Sequence, residues 1–158
     1  CRCGYFGDKE KECRCTANEI FNYQKKISGP LLDRLDIQIE VPRIPLEELR
    51  LKHSEEAEEE YRTKIEEARK IQEKRFAKDP QKIYANSQMT SKQVDQAIVL
   101  DKVAEEFLKK ILEKNFISAR GYYRTLKVAQ TIADLEKSER VKEEHLAEAF
   151  RYRLKTNE

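Results

Sequence analysis

Apolar residues recur at helical spacing along most of this chain, and only one stretch breaks that period. Tyr61, Ile65, Ala68, Ile71 (or Gln72) and Phe76 fall on one stripe of a long charged helix, expected to be capped by Ser54 and stopped by Asp79-Pro80. Val94, Ala97 and Ile98 mark a second helix over about 91–100. Val103, Phe107, Leu108, Ile111 and Leu112 mark a third behind a capping Asp101. Ser118 caps a fourth, with Tyr122, Leu126, Ala129, Ile132, Ala133 and Leu135 inward; Leu146, Ala149 and Phe150 line a last one over about 143–152. Short antiparallel connections between such faces predict a bundle of four or five helices.

The first third reads differently. Thr16 and Glu19 form a capping box for a helix through Lys26, and Gly29-Pro30 then starts a very short one. Residues 35–41 alternate apolar and polar (Leu35, Ile37, Ile39, Val41), the period of a half-buried strand. That strand has no partner in this sequence, so its edge is expected to be exposed. Pro42-Arg43-Ile44-Pro45 reads as the linker, with at most a helical turn over Leu46 to Leu49. The chain is expected to be mainly α, divided into residues 1–45 and 46–158.

Charge changes the picture little. With 32 basic and 30 acidic side chains the net charge is +2, so no nucleic-acid footprint shows in the balance. Arg140, Lys142, Arg151, Arg153 and Lys155 read first as a solvated tail and second as contacts to a DNA backbone. No apolar run reaches the ~18 residues of a membrane span and no signal-peptide layout occurs, which predicts a cytoplasmic protein with reduced thiols. His53 and His145 lack the neighbours of a catalytic pair and read as structural or exposed.

The cysteines form two pairs, Cys1-x-Cys3 and Cys13-x-Cys15, around a turn-rich segment. Four thiolates can close a tetrahedral zinc site with no position left for water, which would make it structural. Cys-x-Cys departs from the usual two-to-four-residue knuckle spacing. Zinc, a disulfide and free thiols all remain open. Only four glycines are present, and no G-x-x-x-x-G-K-[ST] loop occurs to cradle a phosphate. Asp134-Leu135-Glu136 ends a helical pattern, the wrong context for an acidic pair that holds a metal at a strand end.

Several motifs carry a resemblance over nearly the whole chain. Ile27-Ser28-Gly29-Pro30-Leu31-Leu32-Asp33-Arg34-Leu35-Asp36-Ile37 resembles the arginine-finger segment of magnesium-chelatase-like AAA+ ATPases. The Cys-x-Cys loop narrows the likeness to the ComM-type competence proteins. Ser118-Ala119-Arg120-Gly121-Tyr122-Tyr123-Arg124 and Ala129-x-Thr131-Ile132-Ala133-Asp134-Leu135 look like that family's C-terminal lid.

The resemblance implies a helical lid preceded by a remnant of the α/β core, within a longer ATPase whose phosphate loop lies elsewhere. It implies Arg34 as an arginine finger acting in trans, Arg120 as the sensor-2 arginine on the γ-phosphate, and Arg124 as a second-choice phosphate contact. On their own, Arg34 would read as a surface partner of Asp33 or Asp36 and Arg120 as merely exposed. The family further implies ATP and magnesium in the parent, a homo-oligomeric ring (a hexamer), and movement of DNA in natural transformation. The rival within the superfamily is the motor subunit of the porphyrin magnesium chelatase. The rival outside it is a stand-alone zinc-stabilised helical interaction module.

Overall fold

The computed structural model describes residues 1–8, 10–39, 41, 44, 55–114 and 117–153. They contain α1 (Ala17–Gln24), α2 (Gly29–Leu32), α3 (Glu55–Phe76), α4 (Ser91–Ala97), α5 (Lys102–Lys114), α6 (Ala119–Leu135) and α7 (Glu143–Arg151). A 3₁₀ turn at Asn86–Gln88 precedes α4. The fold is mainly α, as the pattern predicts. The chain divides into two compact units, Cys1–Leu35 with Ile39–Lys52, and Asp36–Gln38 with His53–Glu158.

In the first unit α1 starts where predicted. Thr16 Oγ1 accepts the Glu19 N–H at 3.3 Å, and the Glu19 carboxylate accepts the Thr16 N–H at 2.9 Å. The Thr16 N–H and, at 3.0 Å, the Thr16 hydroxyl both donate to that carboxylate and hold the Glu19 carboxyl below the usual range. The helix ends two residues earlier than expected, and α2 follows with Pro30 in its first turn. No described residue of this unit is buried, and Phe6, Phe21, Ile27 and Leu31 are about half exposed or more.

The strand expected over 35–41 does not form across its described residues, 35–39 and 41. A strand needs a ladder, and nothing described offers one; Leu35, Ile37, Ile39 and Val41 are all exposed. Part of the run docks on the bundle instead, where the Gln38 N–H donates to the Tyr152 carbonyl at 2.8 Å. Ser54, His53, Leu46 to Leu49 and Lys155 lie outside the described residues, as does most of the expected linker.

The second unit is the bundle. Its core gathers Phe76, Met89, Val94, Leu108, Leu126, Ile132, Val141, Leu146 and Phe150, with α6 packed on α3, α4 and α7, and α5 on α7. Helix α3 carries Glu55, Glu56 and Glu58 in its first turn and Lys74 and Arg75 in its last, matching the helix dipole. Only its C-terminal half is buried, at Ala68, Gln72 and Phe76; Tyr61 and Ile65 are 65% and 47% exposed. Residues 55–66 are all exposed and burial begins at Ala68, so the predicted stripe runs past its cover.

One further boundary moved. Helix α4 stops at Ala97 rather than Leu100, because Leu100 forms a parallel bridge with Val141. The Val141 N–H donates to the Val99 carbonyl at 2.9 Å, and the Asp101 N–H to the Val141 carbonyl at 3.1 Å. Asp101 then caps α5 through the Ala104 N–H at 2.7 Å, as expected. Val103, Leu112 and Leu135, expected inward, are exposed. Ala104, Gly121 and Thr125 take buried places instead.

Candidate functional site

Helix α6 places the arginines of interest. Ser118 Oγ accepts the Gly121 N–H at 3.0 Å, which fixes the first turn and starts the helix one residue before Arg120. Arg120 is exposed and makes no side-chain hydrogen bond or ion pair among the described residues. A cation here faces the positive end of the helix dipole, an arrangement that costs roughly 0.3–1 kcal/mol. Arg124, one turn on, pairs with Asp36 at 2.5 Å. Lys127 completes the edge at the next turn and donates to the Ser87 carbonyl at 3.1 Å. Desolvation first, and the Arg124 charge second, push its ammonium down from the usual lysine range.

Positions 120, 124 and 127 form a cationic edge opposite the face buried by Leu126, Ala129 and Ala133. Sequence reasoning singled out two members and missed Lys127, which the same i, i+4, i+7 spacing would have found. Gly121 sits on the buried side. A Cβ there would stand 3.1 Å from Ile117 Cγ2 and 3.3 Å from Arg153 Nη2, so the missing side chain admits the Arg153 guanidinium.

Arg34 belongs to the first unit, just past α2. Its Nη1 donates to the Pro30 carbonyl at 2.6 Å, so the guanidinium folds back over the helix it follows while remaining exposed. Asp33 is the C-cap residue of α2.

The four cysteines converge. Cys1 and Cys3 Sγ lie 3.4 Å apart, Cys3 and Cys13 3.5 Å, and Cys1 and Cys13 3.6 Å. With Cys15, all four sulfurs lie within 4.8 Å of one another. A disulfide needs about 2.05 Å, and the four are free thiols in this structure. The Tyr5 N–H aimed at Cys3 lowers that thiol to about 7, against the opposing effect of desolvation. At Cys13 the Cys15 N–H pulls downward, but desolvation and the crowded thiols of Cys3 and Cys15 outweigh it, and the net shift is upward.

Two polar clusters escaped the sequence reading. Asp134, the end of the lid motif, is 1% exposed and accepts from Arg75, Asn86 and Gln130. His145 is fully buried: Nδ1 accepts the Lys142 N–H at 3.0 Å, and Nε2 faces Glu136 at 2.9 Å. Glu144 also lies near, but with Nδ1 spent on capping α7 the ring serves as a structural cap. Among the described residues no helix is long and apolar enough to cross a membrane.

Two families of known proteins match this chain. Residues 55–153 match the family described as magnesium chelatase, subunit ChlI C-terminal, and residues 1–49 match magnesium chelatase, subunit ChlI. The chain is 37% identical to "Competence protein ComM" of Haemophilus influenzae over 89% of its length and 26% of that protein's. It is 33% identical to "Uncharacterized protein YifB" of Escherichia coli and 31% to that of Salmonella typhimurium, each over 89% of this chain and 27% of the relative. The chain thus spans about a quarter of the length of these curated relatives. Its bundle is the helical C-terminal domain of the magnesium chelatase subunit ChlI family, and the chain belongs to that family.

Proposed function

We propose that this chain supplies the lid and the arginine finger of an ATP-hydrolysing AAA+ ring, within a longer protein that carries the phosphate loop. The carrying observation is Arg120, exposed at a helix start and unpaired among the described residues while Asp36 neutralises Arg124 one turn away. A γ-phosphate would satisfy a charge that the helix itself disfavours. Arg34 would reach the neighbouring subunit's nucleotide. An arginine finger contributes roughly 10³–10⁵ in rate. ATP would bring magnesium with it in the intact ring.

In this reading the intact protein is a cytoplasmic, homo-oligomeric motor that moves DNA strands; the likeness to a competence protein favours DNA as its track. The porphyrin-metallating reading is kept alive by the family description itself. ATPase stimulation by DNA supports the first; stimulation by a porphyrin supports the second.

The test is Arg120→Ala in the full-length protein. Bundle stability should hold or rise, by no more than about 1 kcal/mol, because no packing is lost and a cation disfavoured by the helix dipole is removed. Hydrolysis should fall at least about tenfold, equivalent to about 1.4 kcal/mol of barrier. Normal hydrolysis with a destabilised bundle would overturn the assignment.

A further inference from the structure

The cysteine quartet offers chemistry that a nucleotide site does not need. We propose that Cys1, Cys3, Cys13 and Cys15 bind one structural zinc ion as four thiolates. Zinc–sulfur bonds of about 2.3 Å place tetrahedral sulfurs about 3.8 Å apart. The three measured separations, 3.4, 3.5 and 3.6 Å, fall just inside that edge, and Cys15 completes the group. Four sulfurs aimed at one point otherwise gain little, since thiols are weak donors and weak acceptors.

The backbone is shaped for this arrangement. Gly4 and Gly7 hold φ of +84° and +83°, the left-handed region that turns the chain sharply between the two pairs. The Phe6 N–H points at Cys1 Sγ at 3.2 Å, an outer hydrogen bond of the kind that disperses thiolate charge around a metal. Each Cys-x-Cys encloses an arginine, Arg2 or Arg14, and these offset the net −2 of a zinc tetrathiolate. Each thiol releases its proton to solvent on binding, so four protons leave per zinc.

The decisive point is the lack of any alternative support. No described residue of the first unit is buried, so apolar packing does not order the loop. Small units without a core are held by metals or disulfides, and the thiols here are too far apart for a bond. Cys15 leads directly into Thr16, the N-cap of α1. The ion would therefore anchor the start of that helix. Four protein ligands leave no coordination position for water, so the role is structural.

The experiment is metal analysis of the 158-residue chain purified with a reductant and without chelator. About one zinc per chain is expected, with four sulfurs at about 2.3 Å by X-ray absorption. Cys13→Ser and Cys15→Ser should each lower the bound zinc at least about tenfold. The bundle melt should stay unchanged in both variants, which separates metal loss from misfolding. Stripping the metal should raise amide exchange in residues 1–24 alone, and added zinc sulfate should restore protection. A metal-free chain with protected loop amides, bound iron in place of zinc, or a disulfide persisting in reductant would each overturn the proposal. None of these readouts involves ATP, so this assignment and the motor reading stand or fall separately.

Discussion

Replacing Asp134 by alanine tests whether the bundle depends on its buried polar network. One Asp134 oxygen accepts from Arg75 Nη2 and from Gln130 Nε2 at 3.0 Å. The other accepts from Arg75 Nη1 and from Asn86 Nδ2, both at 2.8 Å. Truncation removes these interactions together, but their donors do not suffer equally. Asn86 keeps Thr131 Oγ1 at 3.0 Å, and Arg75, with a side chain 21% exposed, can partly rehydrate. The Gln130 amide is buried and loses its partner. Removing one member of a buried ion pair costs about 3–5 kcal/mol, and the exposure of Arg75 argues for the lower end.

Against this, alanine relieves a carboxylate near the negative end of α6, roughly 0.3–1 kcal/mol. The expected net loss is about 2–3 kcal/mol. For a bundle of this size each kcal/mol moves Tm by about 4–8 °C, so a fall of roughly 10–20 °C should be seen. Urea titration followed by far-UV circular dichroism gives the free energy directly. Arg75→Met with Asp134→Leu should recover much of the loss, because neither charge is then stranded. A loss below about 1 kcal/mol for Asp134→Ala would refute the view that this network holds α3 and the 3₁₀ turn against α6.

Two further outcomes are expected. In the full-length protein Arg34→Ala should cut hydrolysis by about a thousandfold or more with nucleotide affinity preserved, and mixing it with a phosphate-loop variant should restore part of the activity; co-assembled mixtures that stay inactive would exclude action in trans. Arg124→Ala should cost only about 0.2–1 kcal/mol, because the Arg124 and Asp36 side chains are 26% and 47% exposed, and a double-mutant cycle with Asp36→Ala that shows no coupling would disprove the pair.

What could be read from the sequence follows what each feature needs. Caps are local, so Thr16, Asp101 and Ser118 were legible from a residue and its neighbours three positions on. Apolar periodicity located the bundle helices, but it says nothing of how far a covering helix extends, which is why Tyr61 and Ile65 were misplaced in the core. The end of α4 was invisible for a related reason: it depends on Val141, far along the chain. Asp134 was named only as part of a motif, since its partners Arg75 and Asn86 stand 59 and 48 positions away. Arg120 is the opposite case. Nothing described in the bundle buries or pairs it, so the fold adds no structural reason for a cation where the helix dipole disfavours one. Arg124 has such a reason in Asp36. That difference between two arginines one turn apart is what directs the nucleotide reading to Arg120.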